Sequence, residues 1–136
     1  MRVRLEAIVV DDQAKALKFY TEVLGFVVKH DIPAGGARWI TVVPPDERDG
    51  PELLLEPCGF DFAKVYKQTL YEKGIPFTML ASDNVQAEYE KLKAKGVVFK
   101  MPPTQSPGGG PMIASFDDTC GNYILMYEIE KPKGAA

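Results

Sequence analysis

The sequence predicts an α+β fold in which two βαβββ modules pair into an eight-stranded, incompletely closed, barrel-like sheet. Three observations predict it. Segments patterned as strand, helix and three further strands occur in the same order twice along 136 residues. The helix of each copy opens near an aspartate and stops at a glycine, and Asp12 to Asp83 and Gly25 to Gly96 are both 71 residues apart. Finally, one helix covers only one face of a four-stranded sheet, so each copy leaves a concave face that it cannot close alone.

The first strand is RVRLEAIVV, rich in β-branched and apolar residues. DDQAKALKFYTEVLG follows as a helix. Asp11 or Asp12 caps it, Ala14, Leu17, Tyr20 and Leu24 fall at helical spacing, and Gly25 ends it in the left-handed conformation. FVVKHD and ARWITVVP are strands joined by the turn-rich IPAGG, and PELLLEP closes the first copy. The second copy begins with the strand IPFTMLA. The helix SDNVQAEYEKLKAKG follows, with Asp83 and Gln86 spaced as a capping box and Val85, Tyr89 and Leu92 as its apolar stripe. Strands VVFKM, MIASFDD and NYILMYE complete it. The modules therefore span 1–58 and 75–130, with a helical or irregular connector at 59–74 and a loose tail at 131–136.

Composition excludes several functions. A net charge of −3 and a pI near 5.2 leave no excess cation to displace phosphate counterions, so no nucleic-acid partner is expected. The lysines at 91–95 alternate with Glu88 and Glu90 as a solvated helix face. No apolar run reaches the roughly 20 residues of a membrane span, and MRVRLEAIVV lacks a cleavage site, so a cytoplasmic location without membrane contact is expected. Cys58 and Cys120 read as free thiols, and His30, the single histidine, has no partner nearby in sequence for nucleophilic chemistry. SPGGGP (106–111) lacks the strand–glycine–helix context of a phosphate loop and reads as a loop at the cavity mouth with a lid role.

VDDQAKALKFYTEVLGF together with DDTCGNYILMYE resembles the vicinal oxygen chelate superfamily of glyoxalases, bleomycin-resistance proteins and extradiol dioxygenases. The pattern is carried by Asp12, Ala16, Phe19, Tyr20, Leu24, Gly25 and Phe26, and the resemblance spans essentially the whole chain. It implies a divalent metal (zinc, nickel, manganese or iron) held by His and Glu from each module and acting as a Lewis acid. Carried onto this chain, the four positions fall on Leu5, Glu56, Phe77 and Leu125. Three of the four cannot ligate, and fewer than three protein ligands rarely hold such a metal. Tyr123, Leu125 and Tyr127 share one strand face, and Glu128 stands on the other.

The expectation is a protein that binds a small molecule between the modules with no cofactor, as a homodimer. Leu5, Glu56, Phe77, Leu125, Trp39 and Tyr127 are the binding candidates, and Glu56 is the catalytic candidate if the protein is an enzyme. Glu56 has two readings, an inward base or polar anchor, or a charge paired with Arg38 or a lysine. Trp39 either stacks on a planar ligand or packs in the core or a dimer contact. Two rival functions stand beside this one. The first is an enzyme of glyoxalase type, either a metal-dependent lyase or dioxygenase with non-standard ligands or a metal-independent isomerase. The second is a filled barrel serving only in protein contacts.

Overall fold

The computed structural model describes residues 1–130. β1 (Leu5–Val10), β2 (Val27–Ala34), β3 (Ala37–Val43) and β4 (Glu52–Pro57) form one sheet in the order β1-β4-β3-β2. β5 (Thr78–Ser82), β6 (Phe99–Gln105), β7 (Met112–Asp117) and β8 (Tyr123–Glu128) form a second in the order β5-β8-β7-β6. Within each, the first and last strands pair in parallel and the other neighbours antiparallel. The repeat is thus topological as well as sequential. No hydrogen-bonded ladder joins the two sheets among the described residues, so the eight strands stop short of a closed barrel. The expected tail at 131–136 lies outside the described residues.

Helix α1 (Gln13–Lys18) runs on into a π-helical turn at Phe19–Val23, and α3 (Val85–Ala94) is its counterpart. Asp12 caps the first, its carboxylate accepting from Lys15 N at 3.0 Å. The expected Asp83 cap is corrected: Asn84 is extended and its Oδ1 accepts from Ala87 N at 2.9 Å. Glu128 Oε1 on β8 also accepts from Val85 N, so the chain enters helical geometry one residue later than the capping-box spacing implied. The caps are therefore 72 residues apart while Gly25 and Gly96 remain 71 apart. The first helix holds one more residue, and the wider π turn takes it up. That turn lets consecutive residues Phe19 and Tyr20 both point inward, edge to face at 5.6 Å.

Pro33 on β2 and Pro102 and Pro103 on β6 extend those strands beyond their expected ends. Both are edge strands, where a missing N–H costs no ladder bond. The β2–β3 turn narrows to Gly35 and Gly36, both at positive φ (55° and 84°), as a two-residue hairpin requires.

The buried faces meet in one core. Ile8, Val10, Tyr20 and Leu55 of the first module join Leu92, Phe116, Ile124 and Met126 of the second, and Phe19 and Phe116 stand 6.3 Å apart. A polar node fastens the halves. Asp118, fully buried, accepts from Tyr20 Oη at 2.8 Å, Asn122 Nδ2 at 2.9 Å, Cys120 N at 2.7 Å and Asn122 N at 3.0 Å. Asn122 Nδ2 also reaches Val9 O of β1 at 2.9 Å. Burial holds the Asp118 carboxyl above the usual carboxylate range, against the four donors.

Candidate ligand-binding site

The alternation on β8 decides which residues can face a ligand. Ile124 and Met126 are buried in the core, so Tyr123, Leu125 and Tyr127 line the opposite, concave face. Register brings Met79 beside Leu125 on β5, and Ser115 beside Leu125 and Ile113 beside Tyr127 on β7. An open cavity of about 690 Å³ occupies this face, lined by Met79, Ile113, Leu125 and Tyr127. Its polar rim is Glu6, Thr78 and Ser106. Thr78 Oγ1 donates to Glu6 Oε1 at 3.1 Å where the free edges of the two sheets approach. Ser106 and Pro111 place the Gly-rich loop against this cavity. Ser115 belongs to the same strand face. Its hydroxyl is buried and reaches no partner among the described residues.

The connector forms helix α2 (Asp61–Glu72), which covers the other end of this face. Tyr66 packs edge-on against Phe77 at 5.8 Å, and Tyr71 stacks flat on Tyr123 at 4.5 Å. Tyr71 Oη donates to Asp117 Oδ2 at 2.5 Å, and that bond pushes the Tyr71 phenol well above its ordinary pKa. The cavity is consequently confined to the Leu125–Tyr127 end.

The first module presents a second concave face. Ile40, Val42, Leu53 and Leu55 belong to the core cluster, so strand alternation puts Trp39, Thr41, Glu52, Leu54 and Glu56 on the other side, where Thr41 and Leu54 are buried as well. A bulge between Val28 and His30 decides where the histidine goes. Uninterrupted pairing from Val28–Val42 would set His30 opposite core-facing Ile40; the shifted register sets it opposite Thr41 instead. Glu52 Oε1 accepts from Thr41 Oγ1 at 2.7 Å and lies 3.6 Å from His30 Nε2. His30, Thr41 and Glu52 thus form a polar cluster beside Leu5, which pairs with Glu52 across β1 and β4.

Of the residues singled out from sequence, Leu125 and Tyr127 line the cavity. Phe77 is half-buried beneath α2. Leu5 and Trp39 are 42% and 40% exposed on the first-module face. Glu56 is exposed at the end of β4, abreast of Val9, with neither Arg38 nor a lysine bridging it among the described residues. Arg38 instead pairs with Asp31. Sequence reading missed Thr41, left Glu52 out of the site and treated His30 as isolated. The bulge that gathers them leaves no mark in local pattern.

The internal repeat also reassigns one position. Leu5 and Phe77 each stand seven residues before a helix cap, and Ala7 pairs with Leu54 as Met79 pairs with Leu125. The counterpart of Leu125 is therefore Leu54, with Glu56 one pleat repeat further on. On that symmetry, the positions the resemblance assigns to a chelated ion carry Leu5, Leu54, Phe77 and Leu125, all hydrocarbon. Among the described residues no three of His, Cys, Asp and Glu converge elsewhere, and His30 with Glu52 makes only two donors. This donor set does not fit a divalent metal.

Residues 3–126 match the family model described as the Glyoxalase/Bleomycin resistance protein/Dioxygenase superfamily. The chain is 50% identical over 128 residues to the uncharacterized protein YurT of Bacillus subtilis (strain 168), covering 94% of this chain and 99% of the relative. Among solved structures it is similar to UcmS2, at 32% identity and TM-score 0.80, covering 95% of this chain and 98% of that one. It is also similar to TnmS3, an antibiotic binding protein from Streptomyces sp. CB03234, at 26% identity and TM-score 0.71, covering 96% and 97%.

Proposed function

The chain belongs to the glyoxalase/bleomycin resistance protein/dioxygenase superfamily, and from that premise we propose that it binds a small, largely apolar molecule without a catalytic metal. What supports this reading is hydrocarbon at Leu5, Leu54, Phe77 and Leu125, the positions that the family resemblance and the internal repeat assign to a chelated ion, together with an open cavity of about 690 Å³. That volume lies within the about 300–1,000 Å³ of ordinary ligand sites. Met79, Ile113, Leu125 and Tyr127 supply apolar contact, and Thr78 and Ser106 supply hydroxyls to orient a polar substituent. The similarity to an antibiotic binding protein supports a sequestering role. A homodimer completes the proposal. Ile32 and Trp39 on the first-module face and Met79 on the second are 52%, 40% and 60% exposed, apolar area that a second copy would cover.

Elemental analysis of protein purified without added metal, combined with a thermal-shift screen of apolar drug-like compounds, tests the reading. A hit at 100 times its dissociation constant adds about 2.7 kcal/mol of stability. A stoichiometric transition metal overturns it. Light scattering tests the dimer separately.

The cluster of His30, Thr41 and Glu52 favours a second reading, proton transfer on a ligand held against the first-module face. On that reading Glu52→Gln abolishes turnover while Glu56→Gln spares it. In the first reading neither substitution affects binding at Leu125 and Tyr127.

A further inference from the structure

Helix α2 carries a feature that ligand binding on the concave faces does not use. Lys67 is only 7% exposed, an uncommon situation for a charged side chain. Its ammonium donates to Cys120 O, a neutral carbonyl, and among the described residues no carboxylate lies within 4.0 Å of it. Two N–H donors remain. Burying a charge is costly, and with Asp11 the one carboxylate among the described residues lining this pocket against Lys67 and Lys64, the surroundings keep a net positive charge that attracts an anion.

They also provide room for one. A cavity of about 410 Å³ opens over Lys67, between α2 and the turns that end β1, β4 and β7. Lys64, one helical turn earlier on the same face, and Gln68 add donors. Tyr71, held flat on Tyr123, and the aliphatic stems of the two lysines form a carbon wall, with Cys58 and Asp11 at the margin. Gly121 forms the floor and has to be glycine there. Its φ is +83°, and a Cβ would fall on Lys67 Nζ. This cavity shares no lining residue with the concave one.

We propose that this cleft is a second binding site, for a small organic monoanion: a carboxylate attached to an apolar or aromatic body. The carboxylate pairs with Lys67 and Lys64, and the body lies on Tyr71. Charge count favours a monoanion. Two lysines face one aspartate, and a phosphate dianion would meet repulsion from Asp11 without a third cation to offset it.

Benzoate and inorganic phosphate are the probes, each titrated into the full chain and followed by amide NMR. Benzoate is expected to shift the amides of Cys58, residues 64–71 and Gly121 saturably, with phosphate at least about tenfold weaker. Lys67→Met is expected to weaken benzoate at least tenfold. Asp11→Asn, at a side chain that makes no hydrogen bond among the described residues, is expected to strengthen both anions by about threefold or more. Opposite signs at positions 67 and 11 are not what a purely structural role produces. Should Lys67→Met not fold, the wild-type chain still decides the matter. Cys58 is partly exposed while burial pushes the Cys120 thiol up to about 12, so iodoacetamide labels Cys58. Saturating benzoate is expected to slow that labelling at least fivefold. Unchanged labelling, shifts confined to the concave faces, or phosphate binding as tightly as benzoate overturns the proposal.

Discussion

Replacing Asp118 by alanine strikes a buried polar node that both modules share. Its carboxylate accepts from the Tyr20 hydroxyl, the Asn122 amide and the backbone N–H groups of Cys120 and Asn122, all between 2.7 and 3.0 Å. Alanine leaves four donors facing a void at a site with no solvent exposure. Each unsatisfied buried group costs about 1–3 kcal/mol. Part of that is returned, because burial already penalises the charged Asp118. Asn122 Nδ2 also keeps Val9 O. The expected net loss is about 3–5 kcal/mol, a large share of the about 5–15 kcal/mol by which such domains are stable. Tyr20→Phe removes one bond to a charged acceptor and is expected to cost about 1.5–3 kcal/mol. The double mutant should cost less than the sum of the two singles, since both remove the same contact. Urea unfolding measures all three. One cooperative transition with an unchanged slope is expected, because the node joins two halves of a single core. A loss below about 1 kcal/mol for Asp118→Ala, or strict additivity with Tyr20→Phe, refutes the reasoning.

Ser115→Ala removes a buried hydroxyl with no hydrogen-bond partner among the described residues, so its melting temperature is expected to stay or rise; a clear drop in melting temperature contradicts the assignment. Gly121→Ala should cost about 1–3 kcal/mol in urea unfolding, since it places a side chain at positive φ and displaces Lys67; an unchanged midpoint removes the close approach. Two aspartates should titrate in opposite directions from the ordinary 3.8 when followed by carboxyl ¹³C NMR. The hydrogen bond from Arg38 lowers Asp31, whose contribution to stability is present above 3.8 and lost as pH falls through its lower folded value. Burial raises Asp118, so the folded state holds that proton more tightly and stability declines as pH rises from 3.8 through its higher folded value. Midpoints in the reverse order contradict both environments.

Much of the architecture was legible in local pattern. Alternating apolar residues marked the strands, and Asp12, Gly25 and Gly96 marked helix ends, because caps and left-handed stops depend on a few adjacent residues. The apolar character of Leu5, Phe77 and Leu125 needed no structure either, since hydrocarbon cannot ligate wherever it points. Other features depended on pairing between distant segments. The parallel register of β1 with β4 makes Leu54, rather than Glu56, the counterpart of Leu125. The bulge in β2 turns His30 toward Thr41 and Glu52. The docking of α2 covers Phe77 and Tyr123, buries Lys67 and creates the cleft over it. Sequence alone thus determined which elements exist and what chemistry their side chains lack. Tertiary structure decided which surviving polar groups meet, because register and docking are set by the joint packing of residues as much as 113 positions apart, and no local window contains that information.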